Sequence, residues 1–350
     1  MTEKDYSGAV TGKIGKNAKT SNNSTKNQPV LNKPKTQTKS TQQDEIGING
    51  MSPEIISNYK KAGEIAKQVK EYARKIIEKD MLLSEIAELM EKKILELKGE
   101  VAFPVNLSID DIAAHYTPTL RDETKASGLL KVDFGVHIKG CICDVAFSLD
   151  LTPEKKYAKL IEASEEALKE ALEQVKKSKE KVTLNQIGLV IRQTIEKKGF
   201  IPIVNLSGHG LDEFDIHSGI TIPNYDNQSN KELGEGAFAI EPFATLKEGT
   251  GAIYDGNPGN IYHITGEGQV RDNFAREVLQ WILENKQTLP FSQRELERKF
   301  GTKALIAISN LKRSGAIKDF AQLLEQSHKP ISQAETSFVI HNGVVEILCE

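Results

Sequence analysis

Two aspartates in one β-rich stretch are the first residues whose spacing suggests chemistry. Residues 130–149 read LKVDFGVHIKGCICDVAFSL, which predicts two strands joined by a two-residue turn at Lys139-Gly140. With that turn, Gly135 faces Asp144 across the hairpin. Because strand side chains alternate between faces, Asp133 and Asp144 then share one face as diagonal neighbours, about 7–8 Å apart at their Cα atoms.

Two carboxylates on one face of an otherwise apolar hairpin repel each other unless positive charge lies between them. A pair of metal ions meets that requirement. The alternative is that Asp133 and Asp144 are ordinary surface residues on the polar face of the hairpin. The hairpin alone leaves both interpretations open, so the rest of the chain must separate them.

Three further candidate ligands occur in other predicted strands. The predicted strand at 200–206 runs into SGHGLDEFDIHSG, which contains His209 just past the strand end. A strand predicted from Ala237 to Leu246 carries Glu241 among apolar neighbours. Glu335 lies on the first strand of a C-terminal hairpin, whose turn is indicated by an Asn-Gly pair.

Isolated acids are costly to bury, so four carboxylates in apolar strands require compensation. Together with one imidazole they could hold two divalent cations about 3.5–4 Å apart. Oxygen-rich ligands with a single His suit Mn, Fe, Co or Zn. Such a pair lowers the pKa of a shared water toward about 7, which supplies hydroxide for hydrolysis.

The composition is that of a globular protein with one large domain or two ordinary ones in 350 residues. No apolar run approaches the roughly 20 residues of a membrane span, and no secretory signal is apparent. The three cysteines make no disulfide framework. We therefore expect a cytoplasmic protein without a membrane partner.

Residues 1–50 hold eight lysines against four acidic residues, whereas the whole chain has a net charge of −3. With no Phe or Trp and one Leu, this segment cannot build a core, and we predict a disordered basic tail. A basic tail on an acidic body suggests contact with something anionic, such as a ribosome. The alternative is a tail that only aids solubility.

The body, residues 51–350, is predicted to be one catalytic domain of α+β class, with an antiparallel sheet backed by helices. Helix starts are predicted at Ser52-Pro53-Glu54, at Thr152-Pro153-Glu154 and at the capping box Thr183–Gln186. A Gly-rich loop is expected up to Gly268. Residues of about 262–327 are predicted to form an inserted helical, winged-helix-like subdomain, whose mixed charge argues against specific nucleic-acid binding.

Several motifs give the sequence a family resemblance from about Ser52 to the C-terminus. They are AFPVNLSIDDIAAHYTP, KVDFGVHIKGCICD, LSGH with a second His eight residues later, FAIEPFAT, and QAE before the final hairpin. In these motifs the chain resembles the type 2 methionine aminopeptidases, which have the pita-bread fold. The type 2 class is implied by the helical insertion between Glu241 and Glu335.

The resemblance implies hydrolytic removal of the initiator methionine from nascent polypeptides, by a monomer that uses a hydroxide bridging two divalent cations (Co, Mn, Fe or Zn). The implied metal ligands are Asp133, Asp144, His209, Glu241 and Glu335.

Roles for individual residues are implied in the same way. Asp144 and Glu335 would bridge both cations, and Glu241 would also act as general base. His217 would bind the substrate amide or its oxyanion, and His115 would lie near the scissile bond and the leaving nitrogen. Two apolar residues, Phe103 and Ile216, are the implied methionine pocket.

The sequence departs from the family pattern at Thr336, where a histidine usually follows the last glutamate. Because this position is not a ligand, we expect the departure to affect the surroundings of the metals rather than the reaction. Three other histidines, at 263, 328 and 341, are expected at the surface. His137 is not expected to bind metal.

Two alternatives share the fold. Gly210 directly after His209 also fits prolidases, so a prolidase-like dipeptidase is one alternative. A non-catalytic adaptor is the other, although the presence of all five ligand types argues against it. Cleavage of Met-Ala-Ser, compared with an Xaa-Pro dipeptide, distinguishes an aminopeptidase from a prolidase-like dipeptidase.

Overall fold

Residues 51–350 are described by a computed structural model of the chain, and the predicted tail of residues 1–50 lies outside them. The first helix begins where the sequence predicts, since Ser52 Oγ accepts a hydrogen bond from Ile55 N. The predicted capping box between Thr183 and Gln186 is also present. The helices are α1 (Pro53–Ile76), α2 (Leu83–Glu96), α3 (Ala158–Ser178), α4 (Leu184–Lys197), α5 (Asn273–Lys286), α6 (Gln293–Phe300) and α7 (Ala304–Ser314).

The strands of this part of the chain form three antiparallel sheets. They are β1 (Glu100–Ile109), β2 (Ile112–Ala114), β3 (Leu129–Ile138), β4 (Cys141–Asp150), β5 (Ile201–Pro202), β6 (Ser207–Asp212), β7 (Asp215–Pro223), β8 (Gly236–Ile240), β9 (Phe243–Thr245), β10 (Ile253–Ile264), β11 (Phe291–Ser292), β12 (Ile317–Glu325), β13 (Ile331–Gln333), β14 (Glu335–His341) and β15 (Val344–Ile347). An eight-stranded sheet has the order β1-β3-β4-β14-β8-β6-β7, with β15 paired to β14. The smaller sheets have the orders β11-β10-β12-β2 and β13-β9-β5.

The hairpin of β3 and β4 has the predicted register, with Gly135 opposite Asp144. Both turn residues have positive φ, 50° at Lys139 and 89° at Gly140, as a two-residue type I′ turn requires. The period of two sends Val132 and Phe134 into the core beneath α1 and α2, where both are fully buried. Asp133 therefore points to the opposite face of the sheet.

Helices α3 and α4 pack together and carry a second apolar cluster, in which Leu160 and Ile187 meet Phe238 of β8 and Phe338 of β14. The large sheet is thus backed by helices, which confirms the predicted α+β class. None of the helices in residues 51–350 has the length and apolar character needed to cross a membrane.

The predicted start of α3, with Thr152 as N-cap, is wrong by five residues, since the N-cap is Tyr157. The carboxylate of Asp150 accepts hydrogen bonds from the amides of Thr152 and Tyr157, and one from the Thr152 hydroxyl. Capturing these donors holds residues 150–157 in a turn, and the helix begins only at Ala158.

The strand predicted from Ala237 to Leu246 is two strands in different sheets. β8 belongs to the large sheet and β9 to the three-stranded one, and Glu241-Pro242 lies at the break between them. Proline has no amide proton for a sheet hydrogen bond, which fits the interruption. His209 was expected past a strand end, but it lies inside β6.

The predicted insertion is helical only in part. Helices α5, α6 and α7 lie within residues 262–327, but the last part of this range is strand β12. The expected Gly-rich loop before it is largely strand β10, which pairs with β12 from Ile253↔Glu325 to Ile264↔Ile317. That this region is a separate subdomain stays a prediction.

Candidate metal centre

One cavity, of about 430 Å³, contains every residue that the sequence assigns to the site. The large sheet supplies most of its wall, and β2, β9, β10, β12 and connecting loops supply the rest. The predicted residues that line it are Phe103, His115, Asp133, Asp144, His209, Ile216, His217, Glu241 and Glu335.

The imidazole of His209 faces three carboxylates. Its Nε2 atom is 3.8 Å from Asp144 Oδ2, 3.8 Å from Glu241 Oε1 and 3.9 Å from Glu335 Oε1. One ligand atom from each of Asp144, His209 and Glu335 lies within 4.8 Å of the others. Ligand atoms at this spacing can surround a single cation, since metal–ligand bonds are about 2.0–2.2 Å long.

Asp133 completes the acidic wall from the neighbouring strand. Three buried carboxylate oxygens, Asp133 Oδ1, Asp144 Oδ1 and Glu335 Oε1, find no hydrogen-bond donor among the described residues. A buried charged oxygen without a partner is costly, and a cation is the partner that relieves several such oxygens at once. The donor set therefore fits divalent metal ions.

Electrostatics lead to the same conclusion. Burial raises the pKa of Asp133 to about 7. Burial, and secondly the charge of Asp133, raise the pKa of Asp144 well above its usual value. The pKa values of Glu241 and Glu335 are also raised, first by burial and then by the neighbouring carboxylates. Without a cation, the cluster must take up protons near neutral pH.

The pKa of His209 is lowered to about 3, first by burial and then by the nearby His217. The ring is therefore neutral at pH 7. Its Nδ1 lies 3.3 Å from the carbonyl oxygen of Gly210, to which a protonated Nδ1 can donate. That bond leaves an unprotonated Nε2 toward the carboxylates, which is the form that binds a metal.

A buried amide ties the cluster to the sheet behind it. Gln333 Nε2 donates to Glu335 Oε2 at 3.4 Å. The main chain of Gln333 is held in turn by Ser148, whose hydroxyl donates to Gln333 O and accepts from Gln333 N. At the break between β8 and β9, Asn224 Nδ2 donates to Glu241 O at 3.0 Å and fixes the main chain there.

Two more histidines flank the cluster. The ring of His217 stands edge-on to that of His209, with centroids 4.6 Å apart. His115 Nδ1 lies 3.1 Å from the carbonyl oxygen of Ala321, so Nδ1 carries the proton and Nε2 is free to accept. Burial lowers the pKa of both rings, to about 4 for His115, and both are neutral at pH 7.

The two predicted pocket residues give the cavity apolar walls. Phe103 of β1 is nearly buried, and its ring covers Gly135 so closely that a Cβ there would lie 2.4 Å from the ring. Ile216 of β7 lies beside His217 and packs against the main core.

Sequence reasoning missed several lining residues. Phe320 and Leu323 line the cavity from β12, which lies in the range predicted to be helical. His263 was expected at the surface, yet it is half-buried with its ring 4.9 Å from that of Phe320. His137 lies outside the cavity, where its Nδ1 accepts a hydrogen bond from Gly140 N.

Comparisons with known proteins agree on one family. The model of metallopeptidase family M24 matches residues 57–273. A methionine aminopeptidase of Methanocaldococcus jannaschii is 39% identical over 298 residues, which span 83% of this chain and 98% of that relative. A methionine aminopeptidase 2 of Candida dubliniensis is 33% identical over 316 residues, which span 83% of this chain and 68% of that relative.

The fold also matches a solved structure. The crystal structure of a methionine aminopeptidase from Thermotoga maritima superimposes with a TM-score of 0.57 at 19% identity, covering 87% of this chain and 100% of that one. At this identity the likeness bears on the fold alone, and it supports the pita-bread architecture.

Proposed function

We infer the reaction of this cavity from one premise: the chain belongs to metallopeptidase family M24. Its curated relatives are methionine aminopeptidases, and the chain covers nearly all of the archaeal ones. It is therefore a methionyl aminopeptidase, a metal-dependent hydrolase that removes the N-terminal methionine of new proteins, as the sequence predicted. The observation that carries this conclusion within the structure is the convergence of four carboxylates and one imidazole in one cavity.

We propose that the centre holds two divalent cations. Asp133, Asp144, His209, Glu241 and Glu335 would hold them. Four carboxylates balance the charge of two divalent ions. The buried carboxylate oxygens that lack a hydrogen-bond donor support two ions as the number bound. When bound, the cations supply Lewis-acid chemistry and lower the pKa of a water toward about 7. Oxygen-rich ligands with one imidazole suit Co, Mn, Fe or Zn.

The chain's own residues would carry the proton transfers and hold the substrate. Glu241 would take the proton from the attacking water and later pass it to the leaving amine. His217, neutral at pH 7, can donate an N–H hydrogen bond to the oxygen that becomes negative when the amide is attacked. Phe103 and Ile216 would enclose the unbranched methionine side chain between apolar surfaces.

His115 would act differently, because its proton position is fixed by Ala321. With Nδ1–H donating to that carbonyl, Nε2 is a hydrogen-bond acceptor. An acceptor at this side of the cavity would bind a substrate N–H, either of the scissile amide or of the leaving amine. His115 and His217 would thus hold the two polar atoms of one peptide bond.

We also propose that the protein is a cytoplasmic monomer whose basic tail contacts the ribosome. The cysteines at 141, 143 and 349 are free and buried, which suits a reducing compartment. Residues 1–50 carry a net charge of +4, which suits an anionic surface near emerging polypeptides.

Release of methionine by the purified protein tests the function. The protein is stripped of metal with a chelator, reloaded with Mn²⁺ or Co²⁺, and offered Met-Ala-Ser or an Xaa-Pro dipeptide. We expect metal-dependent release of methionine from the tripeptide and little cleavage of the dipeptide. The reverse preference would indicate a prolidase-like dipeptidase. No cleavage of either peptide with Mn²⁺ or Co²⁺ would indicate a non-catalytic adaptor.

A further inference from the structure

We propose that the helical segment between β10 and β12 positions His115, and that Arg294 on α6 is the residue that does so. The inference rests on the proposed role of His115 at the scissile bond. Helix α6 is remote in sequence from every metal ligand, so neither motif nor spacing assigns Arg294 a part in the reaction. The contacts of Arg294 with the loop that carries His115 support this role.

Arg294 is fully buried, and its guanidinium reaches out of the helical segment to the loop that follows β2. Nη1 donates to Thr117 Oγ1 at 3.2 Å and to the carbonyl oxygen of Pro118 at 2.6 Å. Nη2 donates to the carboxylate of Glu91 on α2. A planar fork that satisfies three fixed acceptors is a geometry that lysine cannot reproduce.

The loop that Arg294 holds is the one that carries His115. His115 has φ of +65°, a left-handed conformation that costs a non-glycine residue free energy and persists only when neighbouring contacts impose it. The loop 115–118 therefore needs restraint from outside itself.

That restraint comes from two opposite sides. From β1, Leu107 N donates to Tyr116 O at 2.7 Å, and the Thr117 hydroxyl donates to Val105 O at 2.9 Å. From the other side, Asn260 of β10 donates to Thr117 O at 3.4 Å. Arg294 strengthens the link to β1, since the Thr117 hydroxyl that donates to Val105 also accepts from Arg294.

The strand that ends the helical segment fixes the ring itself. Ala321 of β12 accepts from His115 Nδ1, and the rings of His115 and Phe320 meet edge-on with centroids 5.3 Å apart. Arg294 therefore sets the main chain of the loop, while β12 sets the imidazole. Both contacts come from the region that the sequence sets apart as an insertion.

The test compares full-length variants, loaded with Mn²⁺ for the kinetics and with diamagnetic Zn²⁺ for NMR. Arg294→Met is combined with Glu91→Gln, so that no buried charge is left unpaired. Arg294→Lys keeps the charge and loses the fork. Thr117→Val removes only the hydroxyl, and Thr117→Ser retains it. Asp272→Ala removes the N-cap of α5 in the same segment, where the carboxylate accepts from Ala275 N, and controls for lost stability.

Two readouts are needed: kcat and KM for methionine release, and the NMR signals of the His115 imidazole, assigned with His115→Gln. We expect the double variant to lose about 10- to 100-fold in kcat, with KM changed less than about twofold, because a misplaced group near the reacting atoms affects the rate more than binding. The His115 signals should shift. Arg294→Lys and Thr117→Val should also lower kcat and shift the His115 signals, both to a smaller extent.

Unchanged kcat and unmoved His115 signals in folded variants would overturn the proposal. So would an equal loss of kcat in Asp272→Ala. If the double variant does not fold, Thr117→Val compared with Thr117→Ser decides the question. A wild-type protein that releases no methionine, yet shows shifted His115 signals in the variants, would reject the proposed function and leave the positioning role of Arg294 intact.

Discussion

Thr336 Oγ1 donates a hydrogen bond of 2.6 Å to the main-chain carbonyl oxygen of Cys349. Thr336 follows the proposed ligand Glu335 directly, and the alternation of β14 turns its side chain to the opposite face of the sheet. At the position where the resembled family usually has a histidine, this chain thus has a residue that ties down its C-terminal segment. The departure lies behind the sheet, away from the cavity.

Thr336→Val should therefore reduce stability without altering the metal centre. Valine keeps the shape and loses the donor, leaving a buried carbonyl unpaired, and the expected loss is about 1 kcal/mol of unfolding free energy. Urea unfolding measures that loss, and titration calorimetry with Mn²⁺ measures metal affinity. Thr336→Ser, which keeps the hydroxyl, is the control. A metal affinity weakened tenfold in the valine variant would place Thr336 in the centre after all.

Asp144→Asn should abolish methionine release while the protein still folds. Asparagine retains the shape but removes one of the charges that balance the cations, and a lost ligand typically weakens metal binding by well over tenfold. The metal-free variant should be at least as stable as the metal-free parent, because a buried repelling carboxylate is gone. Asp226→Asn, in a loop outside the cavity, is the control. Retained activity would remove Asp144 from the site.

The metal-free protein should lose stability as pH rises from about 4 to about 7. Burial raises the pKa of Asp133 to about 7, so the folded state holds this proton more tightly than the unfolded state does. The stabilisation is complete below the unfolded pKa near 4 and disappears as pH passes the folded value. Asp144, Glu241 and Glu335 act in the same direction.

Thermal unfolding of chelator-treated protein at pH 5 and pH 8 measures this dependence. The Tm should be lower at pH 8, and added Mn²⁺ should restore it there. A metal-free Asp144→Asn variant whose Tm changes with pH as steeply as that of the metal-free parent would contradict the arrangement of buried acids. The metal-free Asp144→Asn variant should show a weaker dependence than the parent.

Glu325 should make the protein sensitive to acid. Although burial alone raises its pKa, hydrogen bonds from Lys329 N and from the amides and hydroxyls of Ser327 and Thr250 lower it to about 2. The folded state therefore binds this proton less tightly than the unfolded state. Its contribution is present above about pH 4.5 and is lost as pH falls toward 2.

Glu325→Gln should consequently cost about 1–3 kcal/mol at pH 7, since several buried donors lose a charged acceptor. The difference from the parent should shrink on going to pH 3, as followed by urea unfolding. Glu248→Gln, at an exposed position in the loop that carries Thr250, serves as the control. An equal destabilisation at pH 3 and pH 7 would show that the charge of Glu325 is not what matters.

Features decided by neighbouring residues could be read from the sequence. The turn at Lys139-Gly140 fixes the hairpin register, and the caps at Ser52 and Thr183 fix two helix starts, because each depends on contacts within a few residues. The diagonal placement of Asp133 and Asp144 follows from that register alone.

Features decided by distant partners could not be read in this way. The Gly-rich segment of β10 is a strand because β12 lies beside it, more than fifty residues later in the chain. Phe320 and Leu323 were missed as cavity residues for the same reason. Predicted strands made His209, Glu241 and Glu335 candidate ligands, but only the family resemblance implied that they join the two aspartates, since no local rule determines which strands become neighbours.

The position of β14 between β4 and β8 has a consequence for how the enzyme is made. A growing chain leaves the ribosome with its first residues ahead, so four of the five ligands are synthesised by Glu241, while Glu335 follows 94 residues later. Until then, the centre of the large sheet stands open and the acidic cluster is incomplete. The full set of five proposed ligands is therefore available only near the end of translation or after it.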